Sequence, residues 1–172
     1  LPPAGERLFD EVAARMGSAP PDLSFTPEFL AAFDVGMPHP PCPLLESHWN
    51  RQESPGLIRQ RNMQFFEQFG LQLRSADGSP PDHLRHQLEL LQYLCQLEVE
   101  RRLNGELDEA EQLALAREEY LRLHLQSWIP NAVAELSRQM SDAWPTRWLG
   151  LLAECLAQAE RGAPADGGTS SV

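Results

Sequence analysis

Apolar residues recur three and four positions apart along almost the whole chain, and no run alternates β-branched with polar residues, so the pattern predicts an all-α fold. Leu8, Phe9, Val12 and Met16 mark a first short helix, closed by Gly17 and the pair Pro20 and Pro21. A second starts near Pro27 and carries Phe29, Leu30 and Phe33. From Met37 to Pro43 the run MPHPPCP holds four prolines. Fixed φ angles and missing N–H groups exclude a helix interior there and predict an extended surface strap, stiff enough to border a groove.

Beyond the strap, Ser54 and Pro55 read as an N-cap followed by proline at the first helical position. Ile58, Phe65, Phe66 and Phe69 give that helix its apolar face, and Gly70 ends it. Residues 71–79 form a polar connection with Asp77 and Gly78 as turn formers. Ser79 with Asp82 resembles a capping box, and Pro80 falls at the first position of a long helix. Leu84, Leu88, Leu91 and Cys95 form that helix's stripe, widened by Leu90, Leu94 and Leu97. Asn104 and Gly105 stop it, and Asp108 with Glu111 signals an antiparallel partner helix running towards Trp128. Pro130 restarts a helix with Val133, Leu136 and Met140, and Pro145 starts the last, with Trp148, Leu151, Leu152, Cys155 and Leu156 inward. The expectation is a single-domain bundle of about seven helices over residues 1–161, with a disordered tail at 162–172.

Composition narrows the setting. With 172 residues, 42% hydrophobic and 23% charged, the chain can enclose one core. No apolar run approaches a membrane span and Leu1–Glu6 carries no signal pattern, so the expected location is the cytoplasm, without stable membrane association. Fourteen basic residues, all arginine, against 25 carboxylates give a net charge of −11. That field disfavours nucleic acid and suits a cationic peptide, although solubility alone also explains it. Residues 98–119 concentrate eight carboxylates against three arginines, for which a solvated face is the plain reading. Cys42, Cys95 and Cys155 are too few and too scattered for a disulfide framework or a zinc site, and read as reduced, mostly packed thiols.

Candidates for catalysis are sparse: no nucleophile elbow, phosphate-cradling loop or HExxH occurs. His83, His86 and Glu89, three and three apart, share one helix face and leave open a small metal-binding enzyme. Asp82 in a first helical turn is explained by capping alone, and His83 by packing or a hydrogen bond. Trp128 and Trp148 read as core.

The same stretch carries a sharper signal. SPPDHL at 79–84, continuing as RHQLELLQYL, resembles the Pro-Asp-His signature of the TorD/DmsD/NarJ chaperones of molybdoenzyme maturation. PPCPLLESHWNRQES at 40–54 is similar to that family's proline strap and the element after it, NMQFFEQFGLQL at 62–73 to its helix ending in Phe-Gly-Leu, and HLQSWIPNAVAEL at 124–136 to its HLxxWxP element. Segment order and spacing agree with the subgroup serving type II dimethyl sulfoxide reductase enzymes. The resemblance spans about 40–160 and departs from the family where its first helix is expected and at Cys42, often an aromatic.

The resemblance implies a non-catalytic cytoplasmic chaperone, without a cofactor of its own. It would bind the twin-arginine leader or another N-terminal segment of a molybdopterin oxidoreductase's catalytic subunit until cofactor insertion, proofreading it before export. It also implies a possible homodimer by helix exchange. A structural subunit of the oxidoreductase complex remains an alternative. A leader offers arginines followed by an apolar stretch, so its binder needs carboxylates beside an apolar groove. The residues the resemblance points to are Leu44, Ser47, Trp49, Phe69, Gly70, Pro80, Asp82, His83 and Leu84, with Asp82 placed to take an arginine.

Overall fold

The computed structural model describes residue 14, residues 26–73 and residues 78–161. Among these lie seven α-helices and no strand. Helix α1, Thr26–Phe29, runs into a π-helical turn, Leu30–Asp34, that buries Ala32 and Phe33. The proline strap follows, then α2, Glu46–Trp49, and α3, Pro55–Gln68. Helices α4, Leu84–Leu103, and α5, Leu107–Tyr120, form the antiparallel hairpin expected from their apolar stripes. A π-helical turn, Leu121–Leu125, extends α5, and α6, Ile129–Gln139, and α7, Trp144–Arg161, pack against each other. Apart from residue 14, the first helix expected around residues 8–16 lies outside the described residues, as does the tail at 162–172.

Local chemistry explains the boundaries of α3. Ser54 caps it through Oγ, which accepts from the Leu57 N–H at 3.4 Å, with Pro55 behind it. Gly70, at φ +69°, supplies the left-handed residue that ends it. Other starts differ from the sequence expectation. Helix α4 begins at Leu84, not Pro80, and its cap is His83, whose Nδ1 accepts from the Arg85 N–H at 3.1 Å. Pro80 therefore lies ahead of the helix, and the Asp82 carboxylate takes its partners on α2 and α3. Helix α5 begins at Leu107 behind Glu106, without a side-chain cap, which leaves Asp108 inside its first turn.

The core joins Leu84, Leu90, Leu94, Leu125, Trp128, Ile129, Leu136 and Leu149, with Phe33 and Phe66 from the flanking helices. Trp128 is fully buried, as its stripe predicts, and Trp148 is half-buried edge-on to Phe33. Cys95 is exposed despite its place in the α4 stripe, because the buried arc of that helix runs through Gln87, Leu90, Leu91 and Leu94 instead. Cys155 is partly buried, and all three cysteines are free.

Candidate functional site

The strap is fastened on the core at both ends. Its Cys42 N–H donates to the Ala32 carbonyl at 2.9 Å and its thiol points at the Ala132 carbonyl at 3.8 Å. Burial, then the Glu135 charge, pushes the Cys42 thiol up to about 12, so it stays protonated. Gly36 at the entrance is required sterically, since a Cβ there would sit 2.6 Å from the Pro40 Cα.

At the far end the strap meets the start of α4. Leu45 and His83 form an antiparallel bridge, and the Leu84 N–H donates to the Leu44 carbonyl at 2.9 Å. Asp82 then caps α2 instead of its own helix. Its carbonyl accepts from the Glu46 N–H at 3.0 Å and its Oδ2 from the Ser47 N–H at 3.0 Å. Its Oδ1 pairs with Arg59 Nε of α3 at 3.1 Å, so this fully buried carboxylate already holds an arginine of its own chain. One residue thus ties strap, α2, α3 and α4 together.

Burial, then His86, lowers the basicity of His83, which keeps its Nδ1 free to cap α4. A histidine with a depressed folded-state value stabilises fully above about 6.5 and loses that contribution as pH falls through the lower value. Asparagine keeps the cap without titrating. His83→Asn should therefore flatten the fall in melting temperature between pH 7 and pH 5; an unchanged slope would show that the cap does not titrate.

Beneath this junction lies a polar network that sequence reasoning did not single out. Glu46 is buried, and its Oε2 accepts from Asn62 Nδ2 at 3.0 Å and Gln87 Nε2 at 2.7 Å and lies 3.0 Å from His124 Nδ1. Tyr120 donates to Asn62 Oδ1 at 2.9 Å, and Trp128 Nε1 to Gln87 Oε1 at 3.2 Å. Burial, then the Glu46 charge, raises the Tyr120 phenol well above its ordinary value, so it remains a donor. The π turn buries His124 beside Tyr120, with ring centroids 4.9 Å apart. The available signal was a polar residue at a core position of an apolar stripe: Gln87 between Leu84 and Leu91, Asn62 between Ile58 and Phe66.

On the outer side, the strap borders a groove of about 510 Å³. Met37, His39, His48, Trp49 and Arg51 line one side, and Glu135 and Gln139 of α6 the other. The Trp49 Nε1–H donates to the Pro43 carbonyl at 2.8 Å, fixing the indole at the rim. Burial, then His39 and Arg51, lowers the basicity of His48.

The structure therefore brings Leu44, Ser47, Asp82, His83 and Leu84 into one junction, with Trp49 at the adjoining groove. Pro80 is half-buried and its carbonyl accepts from the His83 N–H at 3.0 Å. Phe69 and Gly70 lie ten and eleven residues beyond Arg59, about 15 Å further along α3, and do not share the junction. His86 pairs with Glu89 at 3.0 Å while His83 serves as a cap, and no group of three potential ligands assembles a metal site among the described residues.

Comparison with known proteins gives this geometry a context. The family model described as nitrate reductase delta subunit matches residues 4–134. The chain belongs to that family. It is 27% identical over 142 residues to a perchlorate reductase assembly chaperone protein of Dechloromonas aromatica (strain RCB), covering 82% of this chain and 62% of that one. A selenate reductase assembly chaperone protein of Thauera selenatis is 36% identical over 107 residues, covering 60% and 52%. A chlorate reductase assembly chaperone protein of Ideonella dechloratans is 30% identical over 104 residues, covering 60% and 53%. The chain spans between half and two thirds of the length of these relatives. No solved structure matches it. Membership agrees with the TorD/DmsD/NarJ resemblance, and the strap, α2 and the α4 start fall inside the matched segment. No described helix is long and apolar enough to cross a membrane.

Proposed function

We propose that this chain is a cytoplasmic, non-catalytic maturation chaperone for the catalytic subunit of a molybdopterin oxidoreductase. It binds that subunit's twin-arginine leader or N-terminal segment along the strap, keeping the client from export until its cofactor is inserted. The observation that carries the reading is the groove between strap and α6, bordered by Trp49 and next to the junction that Asp82 fastens. The curated relatives, all named assembly chaperones, support the class. The rigid strap is preorganised, which lowers the ordering cost of holding an extended segment.

Calorimetric titration with a twin-arginine leader peptide from a molybdopterin oxidoreductase catalytic subunit of the same organism tests the reading. Wild-type protein binds. Trp49→Ala weakens binding about tenfold, the loss expected for one aromatic anchor. Met37→Arg, at a residue 97% exposed on the groove rim, sets a like charge against the leader's arginines and weakens it without touching the core. Absence of binding by folded wild type would refute recognition of the leader by this chain. The family description speaks of a subunit, which keeps a structural role in the mature enzyme as a second reading. Stoichiometric presence in the purified, active complex would favour it over a chaperone.

A further inference from the structure

Helix α5 packs on α4 and buries Ala110, Leu113 and Tyr120. Its outer face carries a different pattern. Leu107, Glu111, Leu115, Glu119 and Leu123 follow one another at intervals of four, and side chains four apart on a helix form a continuous ridge. Leu107 is 63% and Leu115 60% exposed, while Leu123, where the π turn begins to carry the ridge inward, is 36% exposed. A single exposed leucine is ordinary, but a regular alternation of leucine and carboxylate is a surface with a shape and a charge.

The carboxylates on this ridge are unspent. The four arginines of the hairpin are engaged elsewhere: Arg85 with Glu89, Arg101 with Glu106 and Glu109, Arg102 with Glu98, Arg117 with Glu98 and Glu118. Glu111 and Glu119 are exposed and make no hydrogen bond or ion pair among the described residues, and the same holds for neighbouring Asp108. Arg122 marks the end of the acidic run. A second copy of this chain would set Glu111 and Glu119 against like charges between molecules that each carry −11.

We propose that this ridge docks a basic amphipathic helix of the client subunit, apart from the strap groove. The client's identity rests on the chaperone reading above; the helix's chemistry rests on the ridge. Eight residues separate Glu111 from Glu119, about 12 Å along the axis, so the partner presents two arginines two turns apart between apolar residues. Its leucines lie against Leu107 and Leu115 and exclude water from the arginine–carboxylate pairs, which strengthens both.

The probe is a helix-forming peptide with leucine and arginine alternating every fourth position on an alanine background, titrated calorimetrically into the full chain at low salt. Wild type binds it, and E111R/E119R weakens binding about tenfold, as reversal of two exposed pairs implies. A second peptide with glutamate for arginine binds E111R/E119R better than wild type. The control E67R/D142R, with the same change in net charge, stays within about twofold of wild type. Failure of wild type to bind, equal loss in both double variants, or failure of the charge swap would overturn the proposal. The leader peptide is titrated in parallel. Ridge failure with leader binding intact removes this inference alone, whereas loss of leader binding by wild type removes the chaperone reading.

Discussion

Glu46→Ala lowers the unfolding free energy by about 3–5 kcal/mol, the cost of removing one partner from a buried charged network. The carboxylate accepts from Asn62 and Gln87 and faces His124, all buried on three different elements. Its removal leaves those groups short of partners where each unmade bond costs about 1–3 kcal/mol. Glu46→Gln keeps the volume and one carbonyl acceptor, so its cost is smaller. Urea unfolding measures both, with the denaturant slope unchanged if the native state keeps its compactness. A loss below about 1 kcal/mol for Glu46→Ala would mean that water or rearrangement replaces the carboxylate and that the network does not organise the fold.

Asp82→Ala has the second large effect, on both stability and binding. Arg59 is 44% exposed and rehydrates when its partner goes, so the stability cost is about 2 kcal/mol, less than for Glu46. The Ser47 N–H loses its acceptor, α2 loosens from α4, and the strap loses its anchorage beside Trp49. Leader binding should fall by more than about tenfold, with faster proteolysis between residues 37 and 50. Asp82→Asn separates two roles for this residue. An amide oxygen still accepts from Ser47, so binding survives if Asp82 acts by fastening α2. Complete loss in Asp82→Asn would instead mean that the carboxylate charge is required, for its pair with Arg59 or for the client's arginine.

The helices were legible because their signals are local. Ser54 and Pro55, Asn104 and Gly105, and the leucine stripes of α4 write their boundaries into adjacent residues. The junction was legible only as a resemblance, through the Pro-Asp-His tripeptide. Local rules assigned Asp82 to its own helix, whereas the structure spends it on α2, thirty-five residues earlier in the chain. Such pairing is set by the tertiary approach of strap and helix, which periodicity cannot express. The Glu46 network was hidden for the same reason: its directly facing partners lie up to 78 residues apart, and each polar member alone reads as an ordinary residue. The π turn that buries His124 likewise has no helical signature, since Leu121, Leu123 and Leu125 alternate with polar residues at a spacing of two.

Maturation of a molybdopterin oxidoreductase is tested by deleting this chain and measuring the molybdenum content and location of the catalytic subunit of the host's molybdopterin oxidoreductase. The client should be depleted in molybdenum, inactive, and restored by wild type but not by Asp82→Ala. A fully loaded, correctly exported and active catalytic subunit in the deletion strain would contradict it.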